Sequence, residues 1–519
     1  GLLGPLRVGS GKSLISFLAP YVLQARNPVL MLPASLIGKT VQDMKDYSYH
    51  WKIPRNIELR SYQMTARSEQ AEWFLKKRPD VVILDEAHMA KNTSAGVTKR
   101  LARLMRERPE TAIIVLTGSL STWSLTDWAH LARWALKDYA MVPDNEGELM
   151  EWADALDQEV LPMRRLDPGP LLSLATAEDQ DPDPSVTARK AFRRRMAETS
   201  GVVYTSGESV ASSLYIRELQ LPCSEATEKH YERLRSKWER PDGWPYEEAM
   251  QVWKTARELS LGFCYVWDPH PPDDWLDARR AWAKFVRDVL ARSRTLDTPG
   301  QVKEAVEAEE LADGGLLAQW LAIEPTFTPK LKAVWHDDIA LKVCEKWMKE
   351  NTGIVWCEHT WFAEELSRRT GRPYFGRQGL DKRGTYIEKA EGTIIASIAA
   401  NSTGRNLQKW SKALVTSFPT TSTGAEQLIG REHRDGQKAD AVEVDVFVGC
   451  WEHFDALEGA REQARAERDT MPGSDQAKLL IADIVWPTWH EMAARKGFRW
   501  TRTADVVKQK KTQNLVDIL

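Results

Sequence analysis

Cysteine is scarce in this chain: five residues in 519 (Cys223, Cys264, Cys344, Cys357 and Cys450), far apart and with no C-x-x-C pair. Such spacing argues against a zinc ribbon, an iron–sulfur cluster and a disulfide framework, and it favours a reducing compartment. Long apolar runs are missing as well, and no basic, apolar leader ending in small residues opens the chain. A soluble, intracellular protein is expected, in cytoplasm or nucleoid or in a host cytoplasm, with no membrane partner. Charge of one sign is also lacking. Lys and Arg number 71 against 74 Asp and Glu, a net charge of −3, so nothing attracts nucleic acid globally, although a cleft can be basic on a protein that is acidic elsewhere. No internal repeat of solenoid period is visible. The first residue is Gly1 rather than Met, which reads as a fragment.

What is present is length, tryptophan and a strand–helix rhythm. The length suggests roughly three domains. The 22 Trp residues read mostly as core and helix-packing positions rather than base-stacking platforms, because Trp contributes large buried area wherever it falls. Over residues 1–140, the continuous apolar runs Val29–Leu32, Val81–Leu84 and Ile113–Leu116 predict strands covered on both faces. Helices are expected between them over 36–47, 68–76 and 97–106, which gives the βαβ rhythm of a parallel sheet. From 141 to 326 the strand signal fades into Pro-broken, Trp-rich stretches, read as a mainly helical insertion that offers a surface to protein partners. Over 327–450 the rhythm resumes, with a helix over 331–349, strands at 353–357, 393–396, 413–416 and 442–447, and a helix over 361–369. The last part, 451–519, is read as helical and then as a basic tail (Arg495, Lys496, Arg499, Arg502, Lys508, Lys510, Lys511). The expected fold class is therefore α/β, two parallel-sheet domains with a helical insertion between them.

Four short stretches carry chemistry. Gly9-Ser10-Gly11-Lys12-Ser13 lies between an apolar strand and a helix, a place where backbone N–H groups and the helix N-terminus face an anion. An ordinary Gly-rich turn is the alternative. Asp85-Glu86-Ala87-His88 closes the strongest strand, so two carboxylates project together at its C-terminal end: one suited to hold a cation, the other to deprotonate water. A solvated acid pair is the alternative there. Thr117-Gly118-Ser119 follows another strand, with hydroxyls in reach of the carboxylates or His88, or forms a plain turn. Arg431 and Arg434 stand i, i+3 apart and share one helical face; read alone they suit a solvated surface helix better than a phosphate contact.

Taken in order and spacing, these stretches resemble the helicase-like ATPases of superfamily two, and most closely the Swi/Snf-type DNA translocases. Gly1 to Ser13 is similar to motif I, Leu32-Pro33-Ala34-Ser35-Leu36 to motif Ia, Ser61-Tyr62-Gln63-Met64 to the next strand-end motif, Asp85 to His88 to motif II of the DEAH type, and Leu116 to Ser119 to motif III. Ile354 to Cys357 resembles motif IV, Asn401-Ser402-Thr403-Gly404-Arg405-Asn406-Leu407 motif V, and Glu426-Gln427 through Arg434-Asp435-Gly436-Gln437 motif VI. The likeness covers about 1–140 and 327–450. It departs at Leu6-Arg7, where the family usually carries an acidic pair, at Ser13 in place of the commoner Thr, and at Asn401-Ser402, where paired small residues are usual. The family's adenine-reading segment before motif I has no counterpart here.

The resemblance implies two RecA-like domains with ATP between them and duplex DNA across their common face. It implies ATP and Mg²⁺ binding by Gly9, Ser10, Gly11, Lys12, Ser13 and Asp85, with Ser13 and Asp85 as the metal ligands. Water activation falls to Glu86, arginine fingers to Arg431 and Arg434, and coupling to His88, Thr117, Gly118, Ser119, Gln427, Gly404 and Asn406. Contacts to the DNA backbone fall to Pro33, Ser35, Lys39, Ser402 and Thr403. The expected activity is a DNA-dependent ATPase that translocates along duplex DNA. The alternatives are a strand-separating helicase, a motor subunit of a restriction or repair complex, a degenerate ATPase serving as a scaffold, and a packaging motor. The last would usually bring a nuclease domain with clustered acids.

Overall fold

The computed structural model describes the chain except for residues 7–10, 119–123, 158–168, 206–209, 211, 240, 242–245, 247–248, 294–295, 297, 329, 473–483, 489–490, 493 and 496–519. Gly9, Ser10, Ser119 and the basic tail beyond Arg495 therefore lie outside the described residues. The chain forms two compact units. One comprises 1–208, 271–328 and 465–477; the other comprises 209–270, 329–464 and 478–519. Both belong to the α/β class, with parallel sheets flanked by helices.

In the first unit five parallel strands, β1 (Leu2–Pro5), β2 (Pro28–Leu32), β3 (Glu58–Ser61), β4 (Val81–Asp85) and β5 (Ala112–Thr117), assemble in the order β1-β5-β4-β2-β3. Alternation along a strand sends successive side chains to opposite faces. Val82 and Leu84 of β4 join a core with Val29, Met31, Ile113, Val115, Trp128 and Phe192, while Val81 and Ile83 pack on the other face with Leu30, Leu32, Ile114, Leu116 and Phe17. Because helices cover both faces, the strands read as unbroken apolar runs. Helix 184–198 carries Ala188, Phe192 and Met196 into the first of these cores, so part of the Trp-rich stretch completes this unit.

In the second unit β6 (Ser213–Gln220) joins a seven-stranded parallel sheet, and β7 (Phe263–Trp267) pairs antiparallel with β8 (Leu331–Trp335). The sheet continues with β9 (Ile354–Cys357), β10 (Tyr374–Phe375), β11 (Ile394–Ser397), β12 (Lys412–Val415), β13 (Ala441–Val448) and β14 (Ile484–Val485), in the order β10-β11-β9-β12-β13-β6-β14. Ile354 and Trp356 face one core and Val355 and Cys357 the other. Tryptophan is largely internal: Trp128, Trp238, Trp275, Trp347, Trp356, Trp410 and Trp451 are buried, whereas Trp51 and Trp361 are exposed.

Two expected elements are different: the helix expected over 68–76 is a short turn at Ser68–Gln70 followed by a separate helix at Trp73–Lys77. The helix anticipated over 331–349 begins only at Ile339, and Leu331–Trp335 is a strand. Ala333 and Trp335, two apart, pack on the core of the second unit. The strand's partner β7 lies more than sixty residues earlier, so local periodicity does not reveal the pairing.

Close approach of backbone to backbone gives the second sheet a sharp test. A Cβ on Gly353, at the start of β9, would run into the carbonyl of Lys412 and stand 2.8 Å from the Trp347 ring, whereas one on Gly459, in helix 451–470, would meet nothing within 4 Å. Gly353→Ala is expected to destabilise by about 1–3 kcal/mol through overpacking. Gly459→Ala is expected to be neutral or to stabilise by up to ~1 kcal/mol through helix propensity. Thermal melts of the two variants against the parent measure the contrast.

Candidate active site

All strands of a parallel sheet end at one edge, where open α/β sheets take their ligands. In the first unit that edge gathers the ends of β1, β4 and β5. Leu6, just past β1, donates its N–H to the Thr117 carbonyl at the end of β5 at 2.9 Å. Gly11 then adopts φ 78° and caps helix Lys12–Val22. A Cβ at Gly11 would meet nothing within 4 Å, so conformation rather than crowding makes glycine the suitable residue there. Lys12 and Ser13 are the first two residues of that helix, and the Lys12 Nζ donates back to the Leu6 carbonyl at 3.1 Å.

Asp85 ends β4 and Glu86 follows with φ 53° and ψ 51°, a left-handed conformation that a non-glycine residue adopts at some cost. The turn ends the strand and directs the buried Glu86 side chain (8% exposed) toward His88, whose Nδ1 lies 3.5 Å from its Oε2. The same Nδ1 is 3.4 Å from the Thr117 hydroxyl. Burial first and then the neighbouring Glu86 carboxylate raise the Asp85 carboxyl, the Lys12 charge pulls it partly back, and the net position is about 6. Burial likewise holds His88 below its ordinary value, so its ring is neutral at pH 7. The expected residues Lys12, Asp85, Glu86, His88 and Thr117 are thus linked at one sheet edge, with Gly118 directly after Thr117.

Beside them, Pro33 is buried at the end of β2, and Ser35 and Lys39 follow on the 34–36 turn and helix 37–47. Lys39 is 3.9 Å from Asp43. Two further residues act here that the sequence did not single out individually. Buried Tyr62 donates its hydroxyl to the Asp85 carbonyl at 2.9 Å, and Gln63 accepts the Ala34 N–H at 3.0 Å. They tie the strand-end segment 61–64 to the stretches after β4 and β2. Only that segment's position after a strand was legible.

The second unit gathers its own expected residues beyond β11. Thr403 donates to the Gln427 side chain at 3.2 Å. Arg431, 3% exposed, donates through Nε to the Gln427 carbonyl at 2.8 Å and through Nη1 to the Arg405 carbonyl at 3.2 Å. Arg434, half-buried, donates to the same carbonyl at 3.1 Å and to Asn406 Oδ1 at 2.6 Å. Ser402 and Gly404 flank this contact. Between the two arginines, Glu432 (2% exposed) accepts the Trp356 indole N–H at 2.9 Å, and its other oxygen has no hydrogen-bond partner among the described residues. Burial pushes this carboxyl up to about 8, so it is largely protonated at neutral pH.

Ser13 and Asp85 offer oxygen ligands of the hard kind that suits Mg²⁺, which is commonly held by one or two protein groups together with substrate phosphates. Among the described residues no group of three or more His, Cys, Asp or Glu side chains is arranged to hold a metal by itself. No helix among them is long and apolar enough to cross a membrane. No protein-family model matches the chain, and no curated protein matches it.

Two substitutions test these electrostatics. A carboxyl raised in the folded state contributes stability that is present below its unfolded value and lost as pH rises through its folded value. For Asp85 that window runs from 3.8 to about 6. Asp85→Asn is therefore expected to stabilise the nucleotide-free protein at pH 8 by on the order of 2 kcal/mol and to leave it nearly unchanged at pH 3.5. For Glu432 the window runs from 4.5 to about 8. Glu432→Gln is expected to flatten the fall in stability across that range, a relative gain of roughly 2–4 kcal/mol at its alkaline end. Denaturant unfolding of each variant as a function of pH checks both.

Proposed function

We propose that this protein is a DNA-dependent ATPase of the helicase-like, RecA-based kind, coupling ATP hydrolysis to movement along duplex DNA. The observation that carries the reading is the meeting of Lys12, Asp85, Glu86, His88 and Thr117 at one C-terminal sheet edge, directly before the start of a helix. That is the set of groups phosphoryl transfer to water requires: a cation and backbone donors for the phosphates, a carboxylate for a metal and a second one for the attacking water.

In this reading Gly11 and the N-terminus of helix 12–22 bind the β-phosphate, and Lys12 exchanges its Leu6 carbonyl for phosphate oxygens. Ser13 and Asp85 would hold magnesium, which would supply charge neutralisation on the phosphate oxygens. Glu86 orients and deprotonates the water, its carboxylate fixed by the left-handed turn. Thr117 and neutral His88 sense whether the phosphate is present. Arg431 and Arg434 supply positive charge to the transferred phosphoryl group. Ser402, Thr403, Ser35 and Lys39 grip the phosphate backbone of DNA, with Pro33 setting the turn that carries Ser35, and alternation of that grip moves the protein.

The direct experiment measures ATP turnover with no nucleic acid, single-stranded DNA, duplex DNA and RNA in parallel. Duplex DNA is expected to stimulate most, and the stimulation to fall as salt rises. Lys12→Ala is expected to abolish turnover, and Arg434→Ala to lower it by on the order of 10³. Near-normal turnover in Arg434→Ala would remove that residue from the reaction, and no turnover by the parent with any nucleic acid would overturn the function.

A further inference from the structure

Between β10 and β11 the second unit carries a small hairpin, closed by a Gly376 N–H to Leu380 carbonyl bond of 3.1 Å and an antiparallel bridge between Leu380 and Tyr386. At its tip Asp381 turns its carboxylate onto backbone, accepting the N–H groups of Arg383 at 2.9 Å and Thr385 at 2.8 Å. The hairpin's other acid, Glu388, is paired with Arg405 at 3.0 Å. Arg377, Lys382, Arg383 and Lys389 are exposed, and none of the four makes an ion pair with a described residue. Exposed Tyr386 lies among them. Both acids are thus engaged internally while four cations face solvent.

The hairpin's base is held by a residue with no role so far. Arg405, 8% exposed, donates Nη2 to the Gln378 carbonyl and Nη1 to Glu388. Its own carbonyl accepts from both Arg431 and Arg434. The Leu407 N–H returns a bond to the Arg431 carbonyl at 3.1 Å. Gln378 and Gly379 adopt φ 61° and 71°, and a Cβ on Gly379 would lie 2.6 Å from the Arg405 guanidinium carbon. One residue therefore joins a cationic surface loop, through its side chain, to the two arginines of the candidate site, through its carbonyl.

We propose that the hairpin 376–390 is a binding surface for the phosphodiester backbone of duplex nucleic acid, and that Arg405 is a positioning residue that transmits its occupancy to Arg431 and Arg434. Charge complementarity identifies the occupant: clustered unpaired cations beside an exposed aromatic are the footprint of a nucleic-acid contact. The proposal rests on the nucleic-acid-dependent reading above, which places Arg431 and Arg434 in the reaction. A phosphate drawn to Lys382 and Arg383 shifts the hairpin, Gln378 and Glu388 carry Arg405 with it, and the carbonyl that holds both arginines moves.

Amide hydrogen exchange of the whole chain, with and without a short DNA duplex, tests both halves without needing turnover. In the parent, duplex is expected to slow exchange in 376–390 and to change exchange in 427–437. Lys382→Ala with Arg383→Ala should remove the first effect, weaken binding about tenfold at moderate salt and lower the salt slope by about 1–2. Arg405→Ala should keep protection of the hairpin and lose the response at 427–437. Gly379→Ala, which displaces the guanidinium without deleting it, should do the same if Arg405→Ala fails to fold. Absence of hairpin protection, or an unaltered response at 427–437 in Arg405→Ala and Gly379→Ala, overturns the proposal. Absent ATP turnover with these exchange effects intact would instead count against the ATPase reading alone.

Discussion

The first unit depends on placing two adjacent carboxylates at the buried end of a central strand. β4 is apolar up to Leu84, and its neighbours β5 and β2 cover both of its edges, so Asp85 emerges partly buried beside Glu86. Burial and the like charge raise Asp85 to about 6, and Lys12 counteracts this only in part. Such an arrangement is costly in a protein that merely folds. It becomes useful where a cation is to be recruited, because a carboxylate under stress from its neighbour gains more from binding positive charge. The left-handed turn at Glu86 belongs to the same logic, a local strain that separates the directions of the two acids.

The second unit solves a different problem, holding guanidinium groups in a defined place while they await a partner. Carbonyl oxygens of the 402–407 segment and of Gln427 accept from Arg431 and Arg434, so both side chains are ordered. Glu432, lying between them in sequence, is buried, largely protonated and bonded to Trp356. Gln437 closes the segment, donating to the carbonyls of Trp410 at 2.9 Å and Glu432 at 3.0 Å.

Much of the fold was legible because parallel strands covered on both faces are written as continuous apolar runs, and Val29–Leu32, Val81–Leu84 and Ile354–Cys357 are such runs. That Asp85 and Thr117 end strands was readable for the same reason. Pairing across long stretches of chain was not: β8 has a helix-compatible pattern and takes its identity from β7, and nothing in the strand-like 214–221 stretch shows that β6 lies beside β13. Beyond the Thr117 hydroxyl and His88, side-chain partners were not readable either. Tyr62, Arg405 and Glu432 owe their roles to a carbonyl, a loop and an indole brought near by tertiary packing, and no spacing rule encodes these. Gly9, Ser10 and Ser119 fall outside the described residues, so their part in the site rests on sequence alone.

The central claim is that Asp85, raised to about 6, is the carboxylate that would take up the proposed metal–nucleotide complex. Calorimetric titration of the protein with magnesium–ADP at pH 7.5 and pH 5, in buffers of different ionisation enthalpy, tests it most directly. The account predicts tight binding at the higher pH, binding weaker by roughly tenfold at the lower, and release of a proton on binding near pH 6 that disappears in Asp85→Asn. Equal affinity at both pH values with no proton released, or no binding at either, would contradict it.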